Sequence, residues 1–247
     1  MKIAGLDVGS RAIKLVLLED GILISCHEMI TGFDYVTSVK QLLEILRPDR
    51  TMLTGYGRHI LSSSLDFPNI TEIKAHARGV HHLYPEARSI LDIGGQDTKA
   101  IGLTPNGTVQ NFVMNNRCAA GTGRFLEVMA NSLQCSLDEL NKLAMTGSNH
   151  FTINSTCTVF AETEVISLKA QGAAPQDVAR AVFTSVAQSA ASLLHRLPIV
   201  PPLCFCGGVA RNQHLVQELE RILGMEVLVP KQPEFTGALG AALLAVT

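Results

Sequence analysis

Three groups of residues in this chain have the types and spacing that chemistry needs. The first is Asn115-Asn116-Arg117-Cys118-Ala119-Ala120-Gly121-Thr122-Gly123-Arg124-Phe125-Leu126-Glu127. It sets a thiol three residues ahead of a Gly-Thr-Gly turn, and that turn opens a helical pattern through Phe125, Leu126, Val128, Met129 and Leu133. The glycines let backbone N–H groups crowd a phosphate at a positive helix N-terminus. At the same end, Cys118 can present a thiolate to a metal. The second group is a pair, Asp7-Val8-Gly9-Ser10 and Asp92-Ile93-Gly94-Gly95. A carboxylate at a strand end can hold Mg²⁺ through water while the turn amides hold phosphate oxygens, although either copy alone also reads as an ordinary hairpin. The third is Gly207-Gly208-Val209-Ala210-Arg211-Asn212, between an apolar strand and a helix. Its bare backbone would let an adenosine lie against it, or it simply ends the strand.

The elements that must position these groups repeat. Residues 1–28 read as three short strands, with Leu6 to Lys14 at the first turn and Glu19-Asp20-Gly21 at the second. Residues 88–113 repeat the plan: Leu91 to Lys99 aligns on Leu6 to Lys14, and Pro105-Asn106-Gly107 supplies the second turn. Asp, Gly and Lys recur in register, which identifies an internal duplication. The first meander is followed by a helix near Tyr35–Leu46, a strand at Thr51–Thr54, a short strand around Ile70 and a helix from Ala75 to Leu83. The second is followed by the Gly123 helix, a helix from Leu137 to Ala144, one beginning near Cys157 and a long amphipathic one from Pro175 to Leu197. A buried strand Leu203–Cys206, a helix to Leu223, a strand Val227–Val229 and a closing helix Thr236–Val246 complete the chain. Phe235-Thr236-Gly237-Ala238-Leu239-Gly240 puts small residues on one face of that last helix, suited to a hinge or to tight packing. The expectation is an α/β protein of two similar halves, 1–86 with 234–247 and 87–233, with the ligand in the cleft between them.

Composition narrows the function classes. A chain of 247 residues with 47% hydrophobic content can bury real cores. Its net charge of −2, without a long basic run, disfavours nucleic acid and anionic lipid as partners. No charged-then-apolar signal segment precedes Lys2-Ile3-Ala4-Gly5-Leu6, and the apolar run Gly237 to Val246 is too short to span a bilayer. A soluble cytoplasmic protein is expected. Six cysteines, at 26, 118, 135, 157, 204 and 206, then read as core filler or functional thiols rather than disulfides. With no CxxC pair and no compact set of four, a metal site built by one chain alone is not expected. Cys204 and Cys206 alternate onto one strand face and read, with Cys26 and Cys135, as filler. His76, His81 and His82 form no spaced ligand set and read as a solvated helix face.

In order, the two Asp-x-Gly turns, the Gly-Thr-Gly helix start, Gly207-Gly208-Val209-Ala210 and Thr236-Gly237-Ala238 resemble the five nucleotide motifs of the acetate and sugar kinase, heat-shock chaperone and actin superfamily. More narrowly, Leu91 to Lys99, Asn116 to Glu127 and Cys157-Thr158-Val159-Phe160-Ala161-Glu162-Thr163-Glu164-Val165-Ile166-Ser167 look like the ATP-dependent activators of 2-hydroxyacyl-CoA dehydratases. Thr54-Gly55-Tyr56-Gly57-Arg58 and Thr71-Glu72-Ile73-Lys74-Ala75-His76-Ala77-Arg78-Gly79 are similar too. The resemblance covers essentially the whole chain. It implies duplicated ribonuclease-H-like halves with mixed β-sheets, ATP or ADP with Mg²⁺ in the cleft, and a homodimer sharing one 4Fe-4S cluster, with Cys118 and Cys157 as each chain's ligands. Two thiolates per chain are half of a four-thiolate site, which a two-fold axis completes.

The resemblance further implies a one-electron reductase. Its donor would be ferredoxin or flavodoxin, and its acceptor an iron-sulfur enzyme such as a 2-hydroxyacyl-CoA dehydratase or a related ring reductase. Asp7, Asp92 and Gln96 form the expected catalytic set, the two aspartates organising Mg²⁺ and the attacking water. Gly9, Ser10, Arg11, Ala12, Ile13 and Lys14 would face the phosphates with Gly94, Gly95, Gly121, Thr122 and Gly123. Gly207, Gly208 and Asn212 would serve the adenosine, and Gly237 completes the expected cofactor-binding set. Glu127, Glu162 and Glu164 are candidates for positioning water or for salt bridges. Two departures stand out: Arg11 replaces the usual Thr of the first phosphate turn, and Cys206 the usual Thr before Gly207-Gly208. The alternatives are a cluster-free sugar or amide kinase of the same superfamily, and a nucleotide-gated binding module without electron transfer.

Overall fold

The computed structural model describes residues 1–115, 118–148, 151–153 and 157–246. The first meander is β1 (Lys2–Val8), β2 (Ala12–Glu19) and β3 (Ile22–Ile30), paired antiparallel with Asp7 opposite Lys14. Asp20 and Gly21 both take positive φ, the conformation a two-residue turn needs to match strand twist. Helix α1 (Tyr35–Leu46) starts where the Asp34 side chain accepts the Thr37 N–H, and it returns the chain to β4 (Arg50–Thr54), parallel to β1. The sheet order is β3-β2-β1-β4.

The second meander repeats the register. In β5 (Ser89–Ile93), β6 (Thr98–Leu103) and β7 (Val109–Asn115), Asp92 lies opposite Lys99 as Asp7 lies opposite Lys14. Four helices follow: α4 (Gly123–Ser132), α5 (Leu137–Thr146), α6 (Thr158–Ala170) and α7 (Pro175–Leu194). Strand β8 (Leu203–Cys206) joins β5 in parallel, and β9 (Val227–Leu228) completes the order β7-β6-β5-β8-β9.

Three segments differ from expectation. A helix, α2 (Arg58–Leu65), occupies a stretch with no apolar period, since Ser63 and Ser64 are exposed and only Leu61 is buried. The strand expected around Ile70 is a single bridge between Leu53 and Asn69. It goes no further because the Thr71 hydroxyl caps α3 (Glu72–Leu83) by accepting the Lys74 N–H, so that helix starts three residues earlier than its apolar pattern.

Each sheet is covered on both faces, which is why β1, β5 and β8 read as continuous apolar runs. The largest core lies between the second sheet and α4 to α7 with α8 (Gln213–Leu223), around Phe125, Phe183 and Phe205. Cys204 and Cys206 are fully buried on the opposite face of that sheet, against Ala77 and Val80 of α3. The last helix, α9 (Thr236–Leu244), lies on β1 and crosses α3. A Cβ on Gly240 would run into the Ala75 backbone, and one on Gly79 into the Thr236 carbonyl. The small-residue face of α9 therefore serves a close crossing of two helices at the junction of the halves. Among the described residues no helix is long and apolar enough to cross a membrane.

Candidate functional site

Where β1 and β5 end, a cavity of about 750 Å³ opens between the halves. From the first half, Asp7, Gly9, Ser10, Arg11, Ala12 and Lys14 line it. From the second come Asp92, Gly94, Gly95, Gln96, Gly123, Gly207, Gly208 and Asn212. A turn of φ 86 at Gly207 brings the strand end round beside Asp92, whose Oδ1 would lie 2.8 Å from a Cβ added there.

Other expected residues lie elsewhere. Ile13 is buried in the core of the first sheet, because strand alternation turns it away from its neighbours Ala12 and Lys14. Gly121, at φ 77, lines a separate cavity of about 240 Å³ against Ser189 of α7. The buried Thr122 hydroxyl donates to the Ala119 carbonyl at 2.6 Å. Gly237 packs beneath the site, where a Cβ would be 3.0 Å from Asp7 Oδ2 and 3.1 Å from His76 Nε2.

The floor of the cavity is an ionic cluster. Lys99 Nζ, 3% exposed, bonds Asp92 Oδ2 at 3.1 Å, Asp97 Oδ2 at 2.8 Å and Glu72 Oε2 at 2.8 Å. His76 Nε2 lies 3.6 Å from Asp92 Oδ2. The solvated face expected for His76 is thus a correction: the residue is 4% exposed, because α3 turns it inward beneath the cavity. Its Nδ1 has no hydrogen-bond partner among the described residues. Burial and the Glu72 carboxylate push Asp7 up to about 6, against the pull of His76, Lys14 and Lys99. Burial works the same way on Asp92, but His76 and Lys99 outweigh it and hold that carboxyl below its usual range. Burial opposes the Lys99 charge too, yet its three carboxylates raise it well above an ordinary lysine. One acid is thus firmly ionised beside a fixed ammonium while its counterpart titrates near neutrality, an arrangement able to hold a hydrated cation and an anionic ligand together.

Sequence reasoning did not assign Glu72, His76, Asp97 or Lys99. Lys99 had a signal in its alignment with Lys14, and Glu72 and His76 another, since residues four apart share one helix face. On the nucleoside side, Arg211 pairs with the buried carboxylate of Glu234, which lies in the turn before α9.

The second turn is joined directly to α4. The Gly94 carbonyl accepts the Gly123 N–H at 2.9 Å, and the Gly95 carbonyl accepts the Arg124 N–H at 2.9 Å. Two of the N–H groups that a helix start leaves unpaired are therefore satisfied by the turn itself. Asn115 Nδ2 donates to the carbonyls of Cys118 and Ala120 at 3.2 and 3.4 Å, and Thr98 Oγ1 donates to that of Gly121 at 2.9 Å. The loop before α4 is thereby tied to β6 and β7. Asn116 and Arg117 of the motif lie outside the described residues.

Cys118 and Cys157 are free, exposed thiols, and Cys157 is the N-cap residue of α6. Helices α4 and α6 pack together, and Ser132 Oγ donates to Glu162 Oε1 at 2.8 Å across the contact. Among the described residues no group of three or more His, Cys, Asp or Glu side chains is placed to hold a metal ion. Two exposed thiols fit half of a four-thiolate iron–sulfur site and not a closed site within one chain. Val159 and Phe160, two and three residues after Cys157, are each 65% exposed.

A sequence profile of the BadF/BadG/BcrA/BcrD ATPase family matches residues 4–245. The chain is 44% identical over 250 residues to the 2-hydroxyisocaproyl-CoA dehydratase activator of Clostridioides difficile, covering 98% of this chain and 93% of that protein. Its fold matches the solved activator of the 2-hydroxyisocaproyl-CoA dehydratase from Clostridium difficile with bound ADPNP. There the TM-score is 0.92 at 40% identity, over 99% of this chain and 94% of that one. It also matches component A of the Acidaminococcus fermentans (R)-2-hydroxyglutaryl-CoA dehydratase, with a TM-score of 0.93 at 38% identity over 99% and 97%. The fold is the actin and sugar-kinase type that the motif resemblance implied, with the two halves expected from the duplication.

Proposed function

The chain belongs to the BadF/BadG/BcrA/BcrD ATPase family, and from that premise we propose that it is an ATP-dependent activator delivering single electrons to a partner iron-sulfur enzyme. The observation that carries this reading is the pair of backbone bonds from Gly94 and Gly95 to Gly123 and Arg124. They make a phosphate turn and the helix behind Cys118 one mechanical piece, so a change at the phosphates is felt at the thiols.

We assign Cys118 and Cys157 as the thiolates of a 4Fe-4S cluster whose other two ligands come from a second copy of this chain. The exposed Val159 and Phe160 beside Cys157 support an apolar interface there. Such a cluster supplies one-electron chemistry at low potential when bound. The chain's own residues do the rest. Lys99 holds Asp92 ionised, Asp7 and Asp92 organise hydrated Mg²⁺, Gln96 lies with them, and Lys14 with the turn amides neutralises the phosphates. The bare Gly207-Gly208 backbone and Asn212 receive the adenosine. We assign the units as 1–86 with 234–247 and 87–233, in keeping with the packing of α9 on β1 and α3.

Ferredoxin or flavodoxin is the donor class we assign. A 2-hydroxyacyl-CoA dehydratase or related reductase is the acceptor, in keeping with what the relatives' names state. The kinase reading has less support, because three relatives at 40–44% identity carry the names of dehydratase activators. The experiment is anaerobic purification of Cys118→Ala and Cys157→Ala. Each should lose iron and electron delivery yet still bind ADP; full iron in either variant would remove that cysteine from the ligand set.

A further inference from the structure

Arg11 stands where both phosphate turns and α4 meet. Its Cβ and Cγ lie over Gly95, 3.4 and 2.7 Å from where a Cβ of that residue would sit. The absence of a side chain at position 95 is what lets Arg11 cross from the first half to the second. There its Nη2 pairs with Glu127 Oε1 of α4 at 2.6 Å, while Arg124 Nη1 holds the other carboxylate oxygen at 3.0 Å. The Arg11 side chain is 53% exposed and lines the cavity beside Ser10, Lys14 and Gly94.

Resting on the nucleotide-binding reading above, we propose that Arg11 distinguishes triphosphate from diphosphate by exchanging the Glu127 carboxylate for the terminal phosphate, so that ATP and not ADP unlatches α4 from the first half. The exchange is chemically biased. A guanidinium fork binds a phosphate bidentately and with more charge than a single carboxylate offers, whereas a solvent-exposed ion pair is weakly held. On release Glu127 keeps Arg124, so no carboxylate is stranded. Helix α4 stays bonded to Gly94 and Gly95, which makes it move with the second half while the first half lets go. The position that departs from the usual Thr of this turn thereby acquires a function of its own: a contact between the halves that responds to the third phosphate.

The test is calorimetric titration of ADP and of ADPNP, each with Mg²⁺, into the whole protein and four variants. Arg11→Thr should weaken ADPNP about tenfold or more, the scale of a lost charged hydrogen bond, with ADP changed less than about twofold, and Arg11→Lys should recover part of that loss. Glu127→Gln should strengthen ADPNP about two- to fivefold, the range of an exposed ion pair, because Arg11 no longer has to be withdrawn from it. In the Arg11→Thr, Glu127→Gln double variant that gain should vanish. Equal weakening of ADP and ADPNP by Arg11→Thr would overturn the proposal. So would a Glu127→Gln gain that persists without Arg11, since Glu127 would then act as general negative charge. If the unaltered protein bound neither nucleotide, the ATP reading itself would fall, a distinct outcome.

Discussion

Asp7 faces Lys14 across β1 and β2, and Asp92 faces Lys99 across β5 and β6, in identical register, yet the two carboxylates are shifted in opposite directions. Lys99 is enclosed by three acids and fixes Asp92 as an anion. Lys14 is only partly buried, reaches the Ala12 carbonyl at 3.4 Å and forms no salt bridge among the described residues, so it lowers Asp7 less than burial and Glu72 raise it. The difference comes from α3. That helix follows the first meander but lies at the junction, and its Glu72 and His76 point at the second copy's aspartate and lysine. Duplication reproduces a backbone; what packs against each copy decides its chemistry. The second turn becomes a fixed anionic site fused to α4, and the first a softer site whose arginine reaches across.

Several measurements can break or sharpen this contrast. The largest effect expected is on stability. Lys99→Met strands a group of buried carboxylates and should cost about 3–5 kcal/mol, while Lys14→Met at the matching position should cost less than about 1 kcal/mol. Equal losses in denaturant titrations would mean that the two lysines are equivalent after all. Next is catalysis. Asp92→Ala should lower ATP hydrolysis about 10²- to 10³-fold, the scale of removing a preorganised electrostatic group, while iron content stays unchanged. Full turnover by that variant would remove the second turn from the site.

The pH dependence of the nucleotide-free protein is smaller. With its folded value raised from 3.8 to about 6, Asp7 keeps its proton more tightly in the folded state. The stability it contributes is fully present below about pH 4 and is lost as pH rises through 6. The loss is at most about 3 kcal/mol, reduced by the part of Asp7 that faces the open cleft. Asp7→Asn should flatten this slope in unfolding titrations between about pH 4 and 6.5. Asp92→Asn should not, because a depressed carboxyl loses its contribution only in more acidic solution. A slope unaltered by Asp7→Asn would refute the asymmetry. An effect of similar or smaller size concerns Cys204→Ser and Cys206→Ser. Each should cost about 1–3 kcal/mol for a hydroxyl buried beside α3, and neither should lose iron.

Much of this was legible in the sequence, and the exceptions have a common cause. The duplication, the two turns, the Gly123 helix start and the Gly207-Gly208 strand end are local patterns, and each lies on the cavity or against it. The small-residue face of α9 left a hinge or tight packing open, and Gly79 and Gly240 realise the tight packing. The ionic floor was hidden because it is assembled from α3, β5 and β6, brought together only by the packing of α3 on the second sheet. His76 shows the limit most clearly. Beside His81 and His82 on a mixed helix it has the look of a solvated residue, and only the tertiary arrangement turns it toward Asp92. Ile13 shows the converse: a residue inside a phosphate-turn motif belongs to the core, because strand alternation overrides motif membership.

The central claim is that two chains together complete one electron-transfer site, and stoichiometry tests it most directly. Anaerobic iron and sulfide analysis should be paired with light scattering, before and after exposure to air. The account predicts one four-iron cluster for every two chains, and a dimer that loosens toward monomer as the cluster is lost. One full cluster per chain, or an iron-free protein of undiminished activating power, would contradict it.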